Sequence, residues 1–104
     1  MLKLQAIGNI GTIRTVEGKE IINISIAVNE RYTNSQGERV ETTEWLNCTA
    51  FNKAAVNLEK YTKVGDKLYI EAKPRTRKYT DKAGVEKYST EYIINNFEFL
   101  TPKS

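Results

Sequence analysis

The stretch that decides the fold prediction is LYIEAKPRTRKYTDKAGVEKYSTEYII, residues 68–94. Apolar and polar residues alternate at its start as far as Ala72, which is typical of a half-buried strand. Pro74 cannot donate a hydrogen bond to a neighbouring strand, so we place there the point at which the strand leaves the sheet. Residues 81–84 read DKAG and supply a turn with a glycine available for positive φ. The stretch therefore predicts a strand that continues into a long projecting β-hairpin.

The predicted hairpin is basic and carries aromatic rings. Residues 73–87 contain six basic side chains against two acidic ones, so this segment carries +4 and the rest of the chain −1, out of a total of +3. Tyr79 and Tyr88 lie among these cations. Cations beside flat rings suit a flexible polymer with phosphates on one side and exposed bases on the other. The hairpin therefore indicates binding of single-stranded nucleic acid, and the alternative is a solvated arm whose charges serve solubility.

The rest of the chain is punctuated like an all-β protein. Residues 22–28 place an aliphatic side chain at every second position, which predicts a half-buried strand with its apolar side in the core. Gly8 and Gly11 interrupt the first alternating segment and predict a bulge or sharp bend, as a small barrel needs at its corners. The other predicted segments are a loop over residues 33–38, a third strand over 40–51, a closing strand over 92–100 and a frayed end over 101–104.

A short helix is predicted over residues 53–62, after the third strand. Asn52 has the chemistry of an N-cap, and Gly65 is expected to end the element. The residues predicted to form its buried stripe are Ala55, Leu58 and Tyr61.

This order of elements predicts the fold. Five β segments with one short helix between the third and fourth match the oligonucleotide/oligosaccharide-binding barrel, the OB-fold. The fold class is therefore all-β: a five-stranded OB-fold barrel with a helix between strands 3 and 4 and a projecting β-hairpin. No interdomain linker interrupts the sequence, so residues 1–104 are predicted to form one domain.

The composition argues against several classes of function. The chain has no histidine, which is the commonest general base and metal ligand, and one cysteine. We therefore expect no metal site, no cofactor and no enzymatic activity. Cys48 falls within a predicted strand and is expected to be a small core or interface residue rather than a reactive thiol. No segment has the length of a signal peptide or a membrane span, so the cytoplasm is the expected compartment.

Short motifs in this order resemble bacterial single-stranded DNA-binding proteins of the replication and repair type. Together they cover nearly the whole chain, with the spacing of that family. They are IGNIG at residues 7–11, TEW at 43–45, FNK at 51–53, YIEA at 69–72, RTRKYTD at 75–81 and YSTE at 88–91.

The resemblance implies a function and an assembly. It implies a homotetramer, formed as a dimer of dimers, around which single-stranded DNA wraps during replication, recombination and repair, on the nucleoid. The regular first strand is expected to pair with a second subunit. Binding would be largely independent of sequence. Carried over by position, the residues that would stack on bases are Tyr32, Trp45, Phe51 and Tyr79, and those that would contact phosphates are Lys53, Arg75, Arg77 and Lys78.

The residues themselves bear on these assignments. Trp45 shares its strand face with the polar Thr43, Asn47 and Thr49, which favours a solvent-facing ring over a core position. Phe51 has the same parity but lies beside the helix start, so partial burial is its alternative. For Tyr32 the alternative is an ordinary surface tyrosine. Lys53 would lie in the first helical turn, where the helix dipole disfavours a cation, and this favours a ligand there.

The chain departs from the family pattern at several places. Tyr32 and Tyr79 occupy positions that are often tryptophan, and a tyrosine offers less ring surface for stacking. Leu46 stands where a histidine is common, near the subunit contacts of the family. The loop after the first strand, residues 12–19, is expected to be short. The sequence ends at Ser104, before the acidic tip that recruits replication proteins in the family, so such recruitment is not expected of a truncated or naturally short form.

Two other functions remain open from sequence alone. One is an accessory protein of replication restart that uses the same barrel mainly to contact proteins. The other is a barrel for oligosaccharide or protein ligands with no nucleic-acid role. The Arg-Lys-Tyr sequence of the hairpin argues against a sugar site, which usually places carboxylates and amides beside its rings.

Overall fold

A computed structural model describes residues 2–100 of the chain, which form extended segments and one helix. Over this range the predicted order of strands and helix is confirmed, while the prediction for residues 101–104 lies outside the described residues. The elements are β1 (Leu4–Thr15), β2 (Ile21–Thr33), β3 (Arg39–Phe51), α1 (Asn52–Tyr61), β4 (Lys67–Thr80) and β5 (Glu86–Phe99).

The strands close into a barrel in the order β1-β2-β3-β5-β4. β1 pairs with β4 from Leu4 to Asn9 and with β2 from Asn9 to Thr15, so it passes from one neighbour to the other at Asn9. A short parallel contact between β3 and β5 completes the closure, with Cys48 opposite Tyr92. This closed arrangement confirms the predicted OB-fold architecture. No helix within residues 2–100 is long and apolar enough to cross a membrane.

The two glycines of β1 allow close approaches that a side chain would prevent. A Cβ atom at Gly8 would lie 2.4 Å from the carbonyl oxygen of Ala27 on β2. At Gly11 the register of β1 shifts, as the predicted bulge requires, and a Cβ atom there would lie 2.5 Å from Cζ3 of Trp45. Gly8 therefore admits the backbone of a neighbouring strand, and Gly11 admits an aromatic ring.

The barrel interior is filled by the aliphatic side chains that the alternation predicted. Ile22, Ile24 and Ile26 of β2 are fully buried, whereas Val28 is only partly buried because β1 no longer covers this part of β2. The buried core consists of Ile10, Ile22, Ile24, Ile26, Cys48, Ala50, Ala55, Leu58, Leu68, Ile70, Ala72 and Ile94.

The helix begins one residue earlier than predicted, and two predictions about it are wrong. Phe51 is the N-cap and makes no side-chain capping bond, while Asn52 lies within α1 at φ 58°. An asparagine tolerates this left-handed conformation better than most residues. Ala55 and Leu58 are buried as predicted, but Tyr61 is exposed because it lies at the barrel rim, where its ring packs edge-on against Phe99.

Two ribbons extend beyond the barrel. β4 loses its β1 partner after Ala72, and β5 pairs with β3 only at Tyr92 and Ile93, so Pro74 marks the predicted departure from the barrel. We call residues 73–91 the β4–β5 arm. The second ribbon is the part of β2 and β3 that lies beyond β1, and we call residues 29–43 the β2–β3 arm.

Candidate nucleic-acid interface

The outward side chains of β1, β2 and β3 form a polar surface next to the β4–β5 arm. The hydroxyls of Thr12 and Ser25 share a hydrogen bond of 2.7 Å, and the Thr49 hydroxyl donates to Asn23 Oδ1 at 2.9 Å. Thr49 is only 8% exposed, so the prediction that it lies on a solvent-facing side of the strand is wrong. The bond to Asn23 satisfies its hydroxyl and makes this burial inexpensive.

Trp45 is the most prominent ring of this surface. It is 60% exposed, which confirms the solvent-facing position that its polar strand-mates predicted. Its six-membered ring lies directly against the backbone of Gly11. One side of the indole is therefore supported by the barrel, and the rest is available to a ligand.

Phe51 and Lys53 lie at the end of the same strand. Phe51 shares the strand parity of Trp45 and is 40% exposed, so its ring is less exposed than that of Trp45 but still accessible to a ligand. Lys53 is exposed, and within residues 2–100 it makes no ion pair. No acidic residue lies in the first turn of α1, so this cation is available to an anionic ligand.

A groove of about 380 Å³ separates the polar surface from the base of the β4–β5 arm. Hydroxyls, amides and one guanidinium group dominate its walls, so the groove offers hydrogen bonds rather than apolar contact. We call it the polar groove. Its lining residues are Thr12, Arg14, Asn23, Ile24, Ser25, Asn47, Cys48, Thr49, Ser89, Thr90 and Glu91.

One face of the β4–β5 arm carries three of the predicted site residues. Arg75, Arg77 and Tyr79 occupy alternate positions of β4, so their side chains share a face. Glu91, directly opposite Arg75 on β5, has the same face. Its Oε1 lies 4.0 Å from Nε of Arg75 and 3.7 Å from Nη2 of Arg77. Both arginines are thus loosely tied to one carboxylate.

Lys78 is separated from this group. It lies on the other face of the arm, directly opposite Tyr88, and its Nζ is 3.1 Å from Oε1 of Glu86. Tyr88 is exposed. The arm therefore presents cations and a ring on both faces, and Lys78 does not join Arg75 and Arg77.

Tyr32 is likewise separated from Trp45. The pairing of β2 with β3 runs without a register shift, and Tyr32 lies opposite Val40 while Trp45 lies opposite Ala27. Alternation along the strands puts Tyr32 and Trp45 on opposite faces of the ribbon. Tyr32 is exposed near the end of the β2–β3 arm.

Asp81 orders the tip of the β4–β5 arm. Its Oδ1 accepts backbone N–H bonds from Ala83 and Val85, both at 2.9 Å, and its Oδ2 lies 3.3 Å from Nζ of Lys87. The bond from Val85 is the main reason that the pKa of the Asp81 carboxyl lies below its ordinary value. The tip that carries Tyr79 is thus held by hydrogen bonds to an ionised side chain.

Sequence reasoning missed two charged residues that line the polar groove. Arg14 was assigned to a loop, but β1 continues to Thr15 and places Arg14 opposite Asn23. The loop between β1 and β2 is therefore shorter than the predicted residues 12–19, because β1 continues beyond the bulge at Gly11. In the sequence Glu91 is only part of the YSTE motif, and its position opposite Arg75 becomes evident from the strand register in the structure.

Cys48 lies beneath the groove and is buried. Burial raises the pKa of its thiol to about 12, so the thiolate that would react or bind a metal is disfavoured. In residues 2–100 no three side chains of the His, Cys, Asp and Glu types are grouped so as to hold a metal ion.

Comparison with known proteins places this geometry in a family. A model of the "Single-strand binding protein family" matches residues 1–100, so the chain belongs to that family. A single-stranded DNA-binding protein of Bacteroides thetaiotaomicron is 40% identical over 97% of the chain, and one of Rickettsia prowazekii is 45% identical over 91%. The chain spans 66% of the length of each of these relatives.

Solved structures share the fold. A Plasmodium falciparum SSB, solved as a complex with ssDNA, has a TM-score of 0.82 and 25% identity, covering 96% of this chain and 95% of its own. A small single-stranded DNA-binding protein of Streptomyces coelicolor has a TM-score of 0.71 and 18% identity, with 94% and 93% covered. The family resemblance and the OB-fold barrel predicted from the sequence are both confirmed.

Proposed function

We propose that this protein binds single-stranded DNA with little regard to sequence and protects it during replication, recombination and repair, without catalysing a reaction. The observation that carries the proposal is the exposed Trp45, which lies against Gly11 on the polar surface that also forms one wall of the polar groove. Every base has a flat face, so a supported ring binds any sequence. We place this activity in the cytoplasm, at the nucleoid.

The proposed DNA path combines rings and cations. Bases stack on Trp45, Phe51 and Tyr79, while phosphates meet Arg75 and Arg77 on the arm. Lys53, at the start of α1, meets a further phosphate. Base–aromatic stacking contributes about 1–3 kcal/mol per base, so three rings dominate the affinity at moderate salt.

Tyr32 and Lys78 also contact DNA in this proposal, at the ends of the path. Because each lies on the opposite face of its arm from the main path, the strand must pass around the edges of the two arms to reach them. A DNA strand that wraps the barrel meets this requirement, whereas one that crosses a single face does not.

We propose that the active form is a homotetramer, a dimer of dimers joined first through β1. Two features support this. Residues 4–8 of β1 pair with β4 but have no β2 partner on their other edge. A groove of about 590 Å³ along this edge exposes Leu4, Ala6 and Leu46. A sedimentation mass of a monomer at micromolar concentration would contradict the proposal.

The test of DNA binding uses the intrinsic fluorescence of Trp45, the only tryptophan. Titration with oligo(dT) at low salt should quench its emission, because a base stacks on the indole. A duplex of equal length is the control and should quench far less, since its bases are already stacked. Absence of both quenching and a gel shift with oligo(dT) would overturn the proposed function.

A further inference from the structure

Glu91 occupies an unusual position for an acid on a surface proposed to bind phosphates. It lies on β5 at the base of the β4–β5 arm, immediately before Tyr92, where β5 joins β3. Its carboxylate lines the polar groove. Its side chain is 23% exposed, against 61% for Arg75 and 62% for Arg77. The Glu91 side chain is therefore much less accessible to solvent than the two arginine side chains that it faces.

The contacts of Glu91 are shared and long. One oxygen faces both guanidinium groups, at 4.0 Å from Nε of Arg75 and 3.7 Å from Nη2 of Arg77. Charge-assisted hydrogen bonds are usually about 2.7–2.9 Å long. The carboxylate thus attracts two cations without forming a tight bond to either, and a phosphate can replace it.

We propose that Glu91 is an intramolecular competitor of DNA phosphate, one that limits how tightly Arg75 and Arg77 hold the strand. The inference rests on the proposed function. In the free protein the carboxylate neutralises part of the charge of the two arginines. On binding, the phosphate takes its place and the carboxylate stays close to the strand as a repulsive charge. The consequence is weaker attachment at the base of the arm, which lets DNA leave or shift there.

The competition has a measurable effect on salt dependence. Each phosphate that the protein neutralises on a single strand contributes about −0.7 to the slope of log K against log salt concentration. Removing the carboxylate frees the two arginines to neutralise phosphate fully. The slope of a Glu91→Gln variant should therefore be steeper than that of the wild-type chain, whereas a loss of arginine makes it shallower.

The experiment measures binding of fluorescent oligo(dT) by anisotropy at several salt concentrations. Glu91→Gln should bind about two- to fivefold more tightly at low salt, the fold-change that corresponds to the usual energy of a surface ion pair. The matched control is Glu59→Gln on α1, which changes the net charge equally at an exposed site with no ion pair among residues 2–100. It should leave affinity and slope near the wild-type values.

A chain that lacks both arginines distinguishes competition between Glu91 and phosphate from a general effect of net charge. In an Arg75→Ala/Arg77→Ala chain the gain from Glu91→Gln should disappear, because no cation remains to be freed. A persistent gain in that background, an equal gain from Glu59→Gln, or unchanged or weaker binding by Glu91→Gln would each overturn the inference. If Glu91→Gln lowers the melting temperature, the same comparisons are made with Glu91→Asp, whose shorter side chain should give a smaller gain. Failure of the wild-type chain to bind oligo(dT) would overturn the proposed function itself.

Discussion

The β2–β3 arm and the β4–β5 arm are both antiparallel ribbons that extend past the barrel and end in the same kind of turn. At one tip, Oδ1 of Asn34 accepts N–H bonds from Gln36 at 3.0 Å and Glu38 at 2.9 Å. At the other, Oδ1 of Asp81 accepts the equivalent two bonds. Gly37 and Gly84 close these turns at φ 79° and 81°, a conformation that favours glycine.

The arms differ in charge. The β2–β3 arm carries two basic and three acidic side chains, a net charge of −1, whereas the β4–β5 arm carries six basic and three acidic ones, a net charge of +3. The turn residues run against this division, since the tip of the negative arm has a neutral amide and the tip of the positive arm an ionised carboxylate paired with Lys87. The comparison shows that the fold supplies two projecting arms of similar architecture, while the sequence gives only one of them a net positive charge.

The largest expected effect comes from removing two arginines from each arm in turn. Arg75→Ala/Arg77→Ala should weaken oligo(dT) binding about tenfold to a hundredfold, at about 1 kcal/mol per contact after solvent screening. The magnitude of the salt slope should decrease by up to about 1.4, the value for two fully neutralised phosphates. Anisotropy titrations across salt concentrations measure both quantities.

The matched variant on the other arm is Arg31→Ala/Arg39→Ala, which also removes two cations from one face of a ribbon. Arg31 already faces Glu41 at 3.8 Å, in an arm of net negative charge. We expect less than about a threefold loss of affinity. Equal losses from the two double variants would break the comparison between the arms.

The next-largest effect is expected from removing one tyrosine ring from each arm in turn. Tyr79→Ala should weaken binding about fivefold, at the low end of the stacking range because a tyrosine offers less area than a tryptophan. Tyr32→Ala should cost less, because the strand reaches that ring only by passing around the edge of its arm. Quenching titrations of Trp45 measure both. A larger loss from Tyr32→Ala would reverse the order of the two arms along the DNA path.

Local sequence chemistry predicted much of the fold. The alternation in residues 22–28 identified the core strand, and Pro74 located the departure of the β4–β5 arm, because each signal depends on neighbours in the chain. Predictions failed where contacts between residues far apart in sequence determine the local structure. The residue type of Asn52 predicts a cap, yet its backbone N–H donates to the carbonyl of Glu20 at 2.9 Å. This contact holds Asn52 as the first residue of α1 rather than as its cap.

The candidate site was predicted in composition and less well in arrangement. Trp45 was expected to face solvent because its strand-mates are polar, and it does. The separation of Tyr32 from Trp45 follows from register over the whole β2–β3 ribbon, whereas that of Lys78 from Arg75 follows from alternation along β4. The role of Glu91 depends on its pairing with Arg75, far away in sequence. Such register is set by the turn and by pairing along the whole ribbon, which no short motif encodes.

A smaller effect tests what the β2–β3 arm contributes at its base, where Trp45 lies. Gly11→Ala would put a Cβ atom 2.5 Å from Cζ3 of the indole and 3.1 Å from Oγ of Ser25. The ring must move, so we expect about threefold weaker binding, a part of the stacking energy, and a shift of Trp45 emission in the free protein. Equal melting temperatures would show that the fold is intact. An unchanged emission spectrum would mean that the ring does not depend on Gly11.

The smallest effect distinguishes the two tips by pH. The pKa of Asp81 is lowered by its hydrogen bond from Val85, so this stabilisation of the tip is complete above the ordinary aspartate value of about 3.9. It is lost as the pH falls through the lowered value. The amide NMR signals of Ala83 and Val85 should therefore stay in place to below that ordinary value and then move, while that of Gln36, which donates to the neutral Asn34, has no such cause to move. In Asp81→Asn the movement should vanish, because the neutral side chain then performs the role that Asn34 has on the other arm.

DNA binding by the Asp81→Asn variant near neutral pH should change by less than about twofold, as expected for an exposed polar substitution. A larger loss would mean that the charge of the tip, and not only its shape, positions Tyr79.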